Sequence, residues 1–279
     1  MTYDLIFIGI VQGMLLSLIA YGVMIPYRLL NFTDLTAEGA YPLGGVVCVS
    51  FNLMGLHPVI SIILAAIIAG FTGILTSLIH IRFKVNSLLA GIILSTMLYS
   101  VNLRIIGKPN IALIETLPYL DSSNPTLNII FLAITVVALL IPFSMFLRTE
   151  IGLRLRVVGL NPSLATSYNV SVNKYTFIGL FIANCFTGLA GSLIVHLQNY
   201  MDIGMGVGIV IHALAALMIG EAIVGTQSLN KQLIAPFIGA LIYQQIQGLA
   251  LALGLAPSDL KLLTGIIILG IVGVIKREV

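Results

Sequence analysis

Long apolar runs separated by short polar stretches repeat along the whole chain. Nine of them, at 5–27, 38–55, 57–80, 86–106, 126–147, 175–198, 208–224, 232–251 and 260–276, predict helices. Most approach the ~20 residues that cross a hydrocarbon layer. The runs 38–55 and 208–224 are short and interrupted by glycine, the pattern of a broken or re-entrant helix. The alternating apolar and polar segments of a membrane β-barrel are missing. The pattern predicts an all-α polytopic membrane protein of about nine transmembrane helices (eight to ten), with residues 1–279 in a single domain.

Composition agrees. Of 279 residues, 59% are hydrophobic and only 8% charged, where soluble domains carry about 25% charged. Mean hydropathy is +1.11. Such a chain lacks the polar groups to cover a globular surface. Cys48 and Cys185 both fall inside apolar runs, which predicts packing rather than a disulfide. The opening MTYDLIFIGI lacks a basic leader and a small-residue cleavage site, so it reads as a retained first helix.

Charge sets an expected orientation. With a cytoplasmic C-terminus, nine spans put the N-terminus outside. The inner side then receives Arg28, Arg82, Lys84, Arg148, Arg154, Arg156, Lys174, Lys231, Lys276 and Arg277, and the outer side Arg104, Lys108 and Lys261. Ten against three follows the positive-inside bias. Asp4, Glu115, Asp121, Asp202 and Asp259 fall outside.

The inner loop 148–174 is a polar island, with Arg148, Glu150, Arg154 and Arg156 close together. Asn161 followed by Pro162 predicts an N-cap and a first helical residue. Ser163 to Tyr168 continue a short helix, and Asn169 ends it in the left-handed conformation. Taken alone, such a loop either fixes topology or forms a docking site.

A second constellation is NFTDLTAEGAYPLGG, residues 31–45. Asp34 and Glu38 are four apart, which on a helix places them on one face. Thr36, Gly39 and Pro42 interrupt an apolar helix here. Acids at membrane depth cost about 2.5–3.5 kcal/mol each on insertion scales and tend to mark function. The segment is therefore either a solvated inner loop or a broken helix lining a path. Gln244 and Gln247 share a helix face and either line the path or bond helix to helix. Glu221 reads as a structural ion-pair partner of Lys231 or Arg82, and His196 and His212 as packing residues. No His/Cys spacing suits a metal, no His-Glu-x-x-His or Gly-x-Ser-x-Gly suits an intramembrane enzyme, and the scattered basic residues form no nucleic-acid face.

The run Arg148-Thr-x-x-Gly152-x-x-x-Arg156-x-x-Gly159-x-Asn161-Pro162-x-x-Ala165 resembles the cytoplasmic loop of bacterial ABC importer permeases of the branched-chain amino acid and ribose family. The span 177–196, with Gly188-Leu-Ala-Gly191, is similar to that family's next helix, and 209–279 to its small-residue helices. Asn169 departs from the family's usual glycine. Asp34-Leu-Thr-Ala-Glu-Gly39 resembles a less characterised branch associated with amino acid uptake. The resemblance implies an inner-membrane permease subunit moving a small solute, most simply an amino acid, by alternating access. It implies that Arg154, Arg156, Gly159, Asn161, Pro162, Ala165 and Asn169 couple to an ATPase, and that Asp34, Thr36, Glu38, Gly39, Gln244 and Gln247 line the path. Implied partners are the ABC ATPase, an extracytoplasmic solute-binding protein and a second permease copy in a homodimer. ATP and Mg2+ belong to the ATPase, since this chain has no Gly-x-x-x-x-Gly-Lys-Ser/Thr loop and needs no cofactor. The alternative is an ion-coupled secondary transporter using Asp34, Glu38 or Glu221.

Overall fold

The computed structural model describes residues 2–112, 125–256 and 259–275. Each of the nine apolar runs is a helix. Thr2–Met24 (α1) passes into a π-helical turn, Ile25–Leu29. Ala37–Leu53 (α2), Pro58–Phe83 (α3) and Ser87–Ile106 (α4) follow, then a short strand, Asn110–Ala112 (β1). Pro125–Arg148 is α5, Glu150–Leu160 α6, Pro162–Ser167 α7 and Val172–Gln198 α8. Strand Tyr200–Asp202 (β2), a 3-10 turn Ile203–Gly206, and helices Ile209–Val224 (α9), Leu229–Ala252 (α10) and Leu260–Ile275 (α11) complete the order. Among the described residues, seven helical stretches are long and apolar enough to cross a membrane. Of the nine runs, α2 with 17 residues and α11 with 16 fall short of that length. Lys276, Arg277, Glu115 and Asp121, which entered the orientation argument, lie outside the described residues.

Two expectations change. The run 38–55 is glycine-rich but unbroken: α2 continues through Pro42, Gly44 and Gly45. The break precedes it, where Asn31 takes φ 50° and residues 31–35 run without helix. Residues 150–160, expected as part of the inner loop 148–174, form the helix α6.

The chain divides into two compact units. One comprises Met1–Ala20, Ser123–Ser144 and Ile211–Val279; the other comprises Tyr21–Ser122 and Met145–Val210. In the first, α9 and α10 meet backbone to backbone, since a Cβ on Gly220 would lie 1.8 Å from the Ala235 carbonyl oxygen. Tyr243 Oη shares a hydrogen bond with Thr264 at 2.7 Å and accepts from Gln247 Nε2 at 2.6 Å. The His212 ring meets Tyr243 edge-on.

In the second unit α2 is the centre, with 13 of its 17 residues buried. It lies against α3 and α8 with no side chains at the closest points. A Cβ on Gly44 would lie 2.0 Å from the Gly188 carbonyl oxygen, and one on Gly191 1.9 Å from that of Tyr41. Small residues at such crossings let helices approach in the absence of a strong hydrophobic drive. His196, buried at the far end of α8, lies 3.3 Å from both Cys48 Sγ and Asn52 Nδ2. The unit has two distinct ends. At one, β1 and β2 pair antiparallel with Ile111 opposite Met201. At the other lie the α3–α4 turn, α6, α7 and the start of α8.

Candidate functional site

Residues 30–36 cross the second unit as an extended strap, tied on three sides. Asp34 Oδ1 accepts from the Thr36 amide at 2.8 Å, a local turn that starts α2. Asp34 Oδ2 accepts from Asn184 Nδ2 of α8 at 3.3 Å. The Thr36 and Thr76 hydroxyls share a 2.6 Å bond, and Thr76 Oγ1 is also 3.0 Å from the Thr72 carbonyl oxygen. Thr33 and Ser87 hydroxyls meet at 2.7 Å. Gly91 lets α4 approach, because a Cβ there would lie 2.6 Å from the Leu35 amide nitrogen.

Asp34 and Glu38 are not on one helix face. Asp34 caps the turn before α2 and turns to α8, whereas Glu38 is in the helix and its Oε1 accepts from the Gly208 amide at 3.2 Å. Four-residue spacing implies a shared face only inside a helix, and the Asx turn stops the helix short. Pro42 adds a second effect. It has no amide to give the Glu38 carbonyl, and against that carbonyl Gly206 packs so closely that a Cβ would lie at 1.9 Å. The 3-10 turn is thus held on α2 beside Glu38.

A cavity of about 240 Å3 opens here, between α2, α4 and the 3-10 turn. Glu38, Gly39 and Asn102 line it. Thr36 is fully buried behind, in the hydroxyl pair with Thr76. Gln244 and Gln247 belong to the other unit, where Gln244 donates to Gln12 and Gln247 to Tyr243. The residues that sequence reasoning missed are Ser95, Thr96, Tyr99 and Asn102 of α4. Their signal was a polar edge on an otherwise apolar run.

The polar island is two helices seated on the unit. Thr149 Oγ1 accepts from the Gly152 amide and caps α6. Gly152, Leu155 and Val158 are its buried positions. Gly159 seats it, since a Cβ there would meet the Leu29 carbonyl oxygen at 1.9 Å. Arg154 pairs with Glu150 one turn earlier, at the exposed surface. Arg156 is half-buried. Asn161 ends α6 and starts α7, its Oδ1 accepting from the Leu164 amide at 3.0 Å with Pro162 in the first turn. At the other end the Val170 amide donates to the Ala165 carbonyl and the Asn169 amide to that of Thr166, with Asn169 at φ 57°. That is a Schellman closure, in which Asn serves where glycine is usual. Ala165 is fully buried under α7, while Leu160, Leu164 and Tyr168 stand 83%, 48% and 74% exposed. Ala165 therefore holds α7 down, and the apolar outer surface belongs to its neighbours.

The protein family described as "Branched-chain amino acid transport system / permease component" matches residues 5–272. A tyrosine transport system permease protein of Clostridioides difficile is 35% identical over 260 residues, 92% of this chain and 87% of that one. An uncharacterized protein of Rickettsia prowazekii is 32% identical over 274 residues, 96% of each chain. A probable branched-chain amino acid transport permease of Methanocaldococcus jannaschii is 24% identical over 246 residues, 82% of this chain and 76% of that one.

Proposed function

The chain belongs to the branched-chain amino acid transport permease family, and from that premise we propose how its parts divide the work. It is the permease component of an ABC importer for an amino-acid-like solute. In our reading α6 and α7 are the surface on which an ATPase subunit docks, and ATP and Mg2+ are bound by that subunit. The observation that carries this is the exposed apolar row made by Leu160, the last residue of α6, with Leu164 and the C-cap Tyr168 of α7, a short helix capped at both ends. Leu164 and Tyr168, one turn apart on α7, give the exposed apolar face with which a short helix enters a partner's groove. Arg154 and Arg156 flank that row on α6.

The rest of the scheme follows from it. The end of the second unit that carries α6 and α7 also carries Arg28, Arg82, Lys84, Arg148 and Lys174, whereas the ribbon end has Arg104 and Lys108. By the positive-inside rule the α6–α7 end is cytoplasmic, the N-terminus lies outside and the C-terminus inside, in a bacterial inner membrane. An external solute-binding protein delivers to the ribbon end, and a second copy of the permease completes the path. Asp34 and Thr36 fix the strap that starts α2, while Glu38 and Gly39 face the path. The relative named for tyrosine transport makes L-tyrosine the first solute to try.

Disulfide or bifunctional crosslinking tests the docking surface. The full chain is co-expressed with its cognate ATPase and carries Leu164→Cys, or Lys108→Cys at the ribbon end as control. A crosslink from 164 and none from 108 supports the reading. An ATPase that never copurifies, or that crosslinks equally from both, removes it.

A further inference from the structure

We propose that the cavity beside Glu38 is a subsite for the primary ammonium group of the solute; this rests on, and deepens, the amino acid transport reading above. The hydrogen-bonding character of its wall carries the argument. Ser95 and Thr96 both donate their hydroxyl protons to the Ile92 carbonyl, at 3.0 and 2.6 Å. What remains of each hydroxyl for the cavity is oxygen lone pairs. Asn102 is fully buried and its Nδ2 donates to the Gly39 carbonyl at 3.3 Å. Its Oδ1 has no hydrogen-bond partner among the described residues. A buried acceptor left so costs about 1–3 kcal/mol. Glu38 adds a carboxylate whose Oε1 is anchored by the Gly208 amide. None of the described residues lining the cavity is basic.

A wall of acceptors calls for a ligand made of donors. A primary ammonium carries three N–H donors and no acceptor, with a charge opposite to that of Glu38. A divalent metal ion fits less well. It takes six to eight hard oxygens, usually from several carboxylates, and the described residues hold no group of three acids, cysteines or histidines. Size agrees too. At about 240 Å3 the cavity is below the roughly 300–1,000 Å3 of pockets that enclose a whole drug-sized ligand. It takes one end of a solute, and half-exposed Tyr99 and exposed Val207 at its edge leave the remainder outside.

The test places a reporter thiol in the wall of the intact permease–ATPase complex in nanodiscs. Thr96→Cys is labelled with 2-aminoethyl or 2-sulfonatoethyl methanethiosulfonate, each rate corrected for the wild-type background and for the reagent's rate with a free thiol. The cationic reagent is expected to react about tenfold faster or more, the enrichment a one-signed cleft gives its counter-ion. Adding Glu38→Gln, which keeps the shape, should bring the ratio near unity. L-tyrosine should slow the cationic labelling, and 3-(4-hydroxyphenyl)propionate, which lacks only the amino group, should not. ATP-driven L-tyrosine uptake is measured alongside with the wild-type complex reconstituted in liposomes together with its solute-binding protein. Uptake without a charge ratio or amine-dependent protection overturns the subsite alone. A ratio abolished by Glu38→Gln without uptake supports the ammonium site and removes tyrosine as cargo. A ratio that Glu38→Gln leaves unchanged overturns the subsite whatever the uptake.

Discussion

Gly44 of α2 rests on the backbone of Gly188 of α8, so close that a Cβ on Gly44 would lie 2.0 Å from the Gly188 carbonyl oxygen. The obstacle is backbone in the centre of the second unit, and neither helix can yield by rotating a side chain. Gly44→Ala should therefore destabilise the chain by roughly 1–3 kcal/mol, the usual cost of overpacking. Gly265→Ala in α11, where nothing described lies within 4 Å, should be close to neutral. Thermal unfolding of the two variants in the same detergent separates them. Equal losses would mean that the α2–α8 contact is not a tight one.

Asp34 holds the strap in place. Asp34→Ala removes the acceptor for both the Thr36 amide and Asn184 Nδ2. Leaving the buried Thr36 amide unpaired costs about 1–3 kcal/mol, while Asn184 Nδ2 keeps its bond to the Leu180 carbonyl. Asp34→Asn keeps one acceptor and presents a new donor close to Asn184, whose Oδ1 has no partner among the described residues. The Asn variant should retain most of the stability and the Ala variant should not. An ion-coupling acid would behave differently: neutralising it would abolish transport in both variants while stability stayed high.

Two polar contacts in the α6–α7 region should prove very unequal. Asn161→Ala removes the side-chain cap from the Leu164 amide, and loss of an N-cap costs about 0.5–2 kcal/mol. Hydrogen exchange at residues 163–168 should quicken accordingly, by about tenfold for a loss near 1.4 kcal/mol. Glu150→Ala breaks the exposed pair with Arg154, and such solvent-screened one-turn pairs contribute little. Exchange across α7 should then hardly change.

The helical membrane architecture was legible because apolar length is a strong signal, and the caps at Asn161 and Asn169 were legible because they are local chemistry. What escaped was decided across the fold. α6 carries two arginines and a glutamate, which hid the three-residue spacing of buried Gly152, Leu155 and Val158. Asp34 and Glu38 promised a common face only on the assumption that α2 begins before Asp34, and a side-chain turn begins it two residues later. Ala165 looked like part of a docking surface because a motif records which residues recur, not which way they point. The polar edge of α4 did not show what Asn102 would bond to. Its role depends on Gly39, 63 positions away.

The β1–β2 ribbon makes the segments that follow α4 and α8 a crank. Ile203 N donates to the Pro109 carbonyl at 3.1 Å, and the strands pair across all three of their residues. The four residues of the 3-10 turn follow β2 directly and lead to Val207 and Gly208 beside Glu38. A tug on residues 110–112 is therefore transmitted to the rim of the Glu38 cavity through a handful of tightly turned residues. No helix has to slide for that rim to lift.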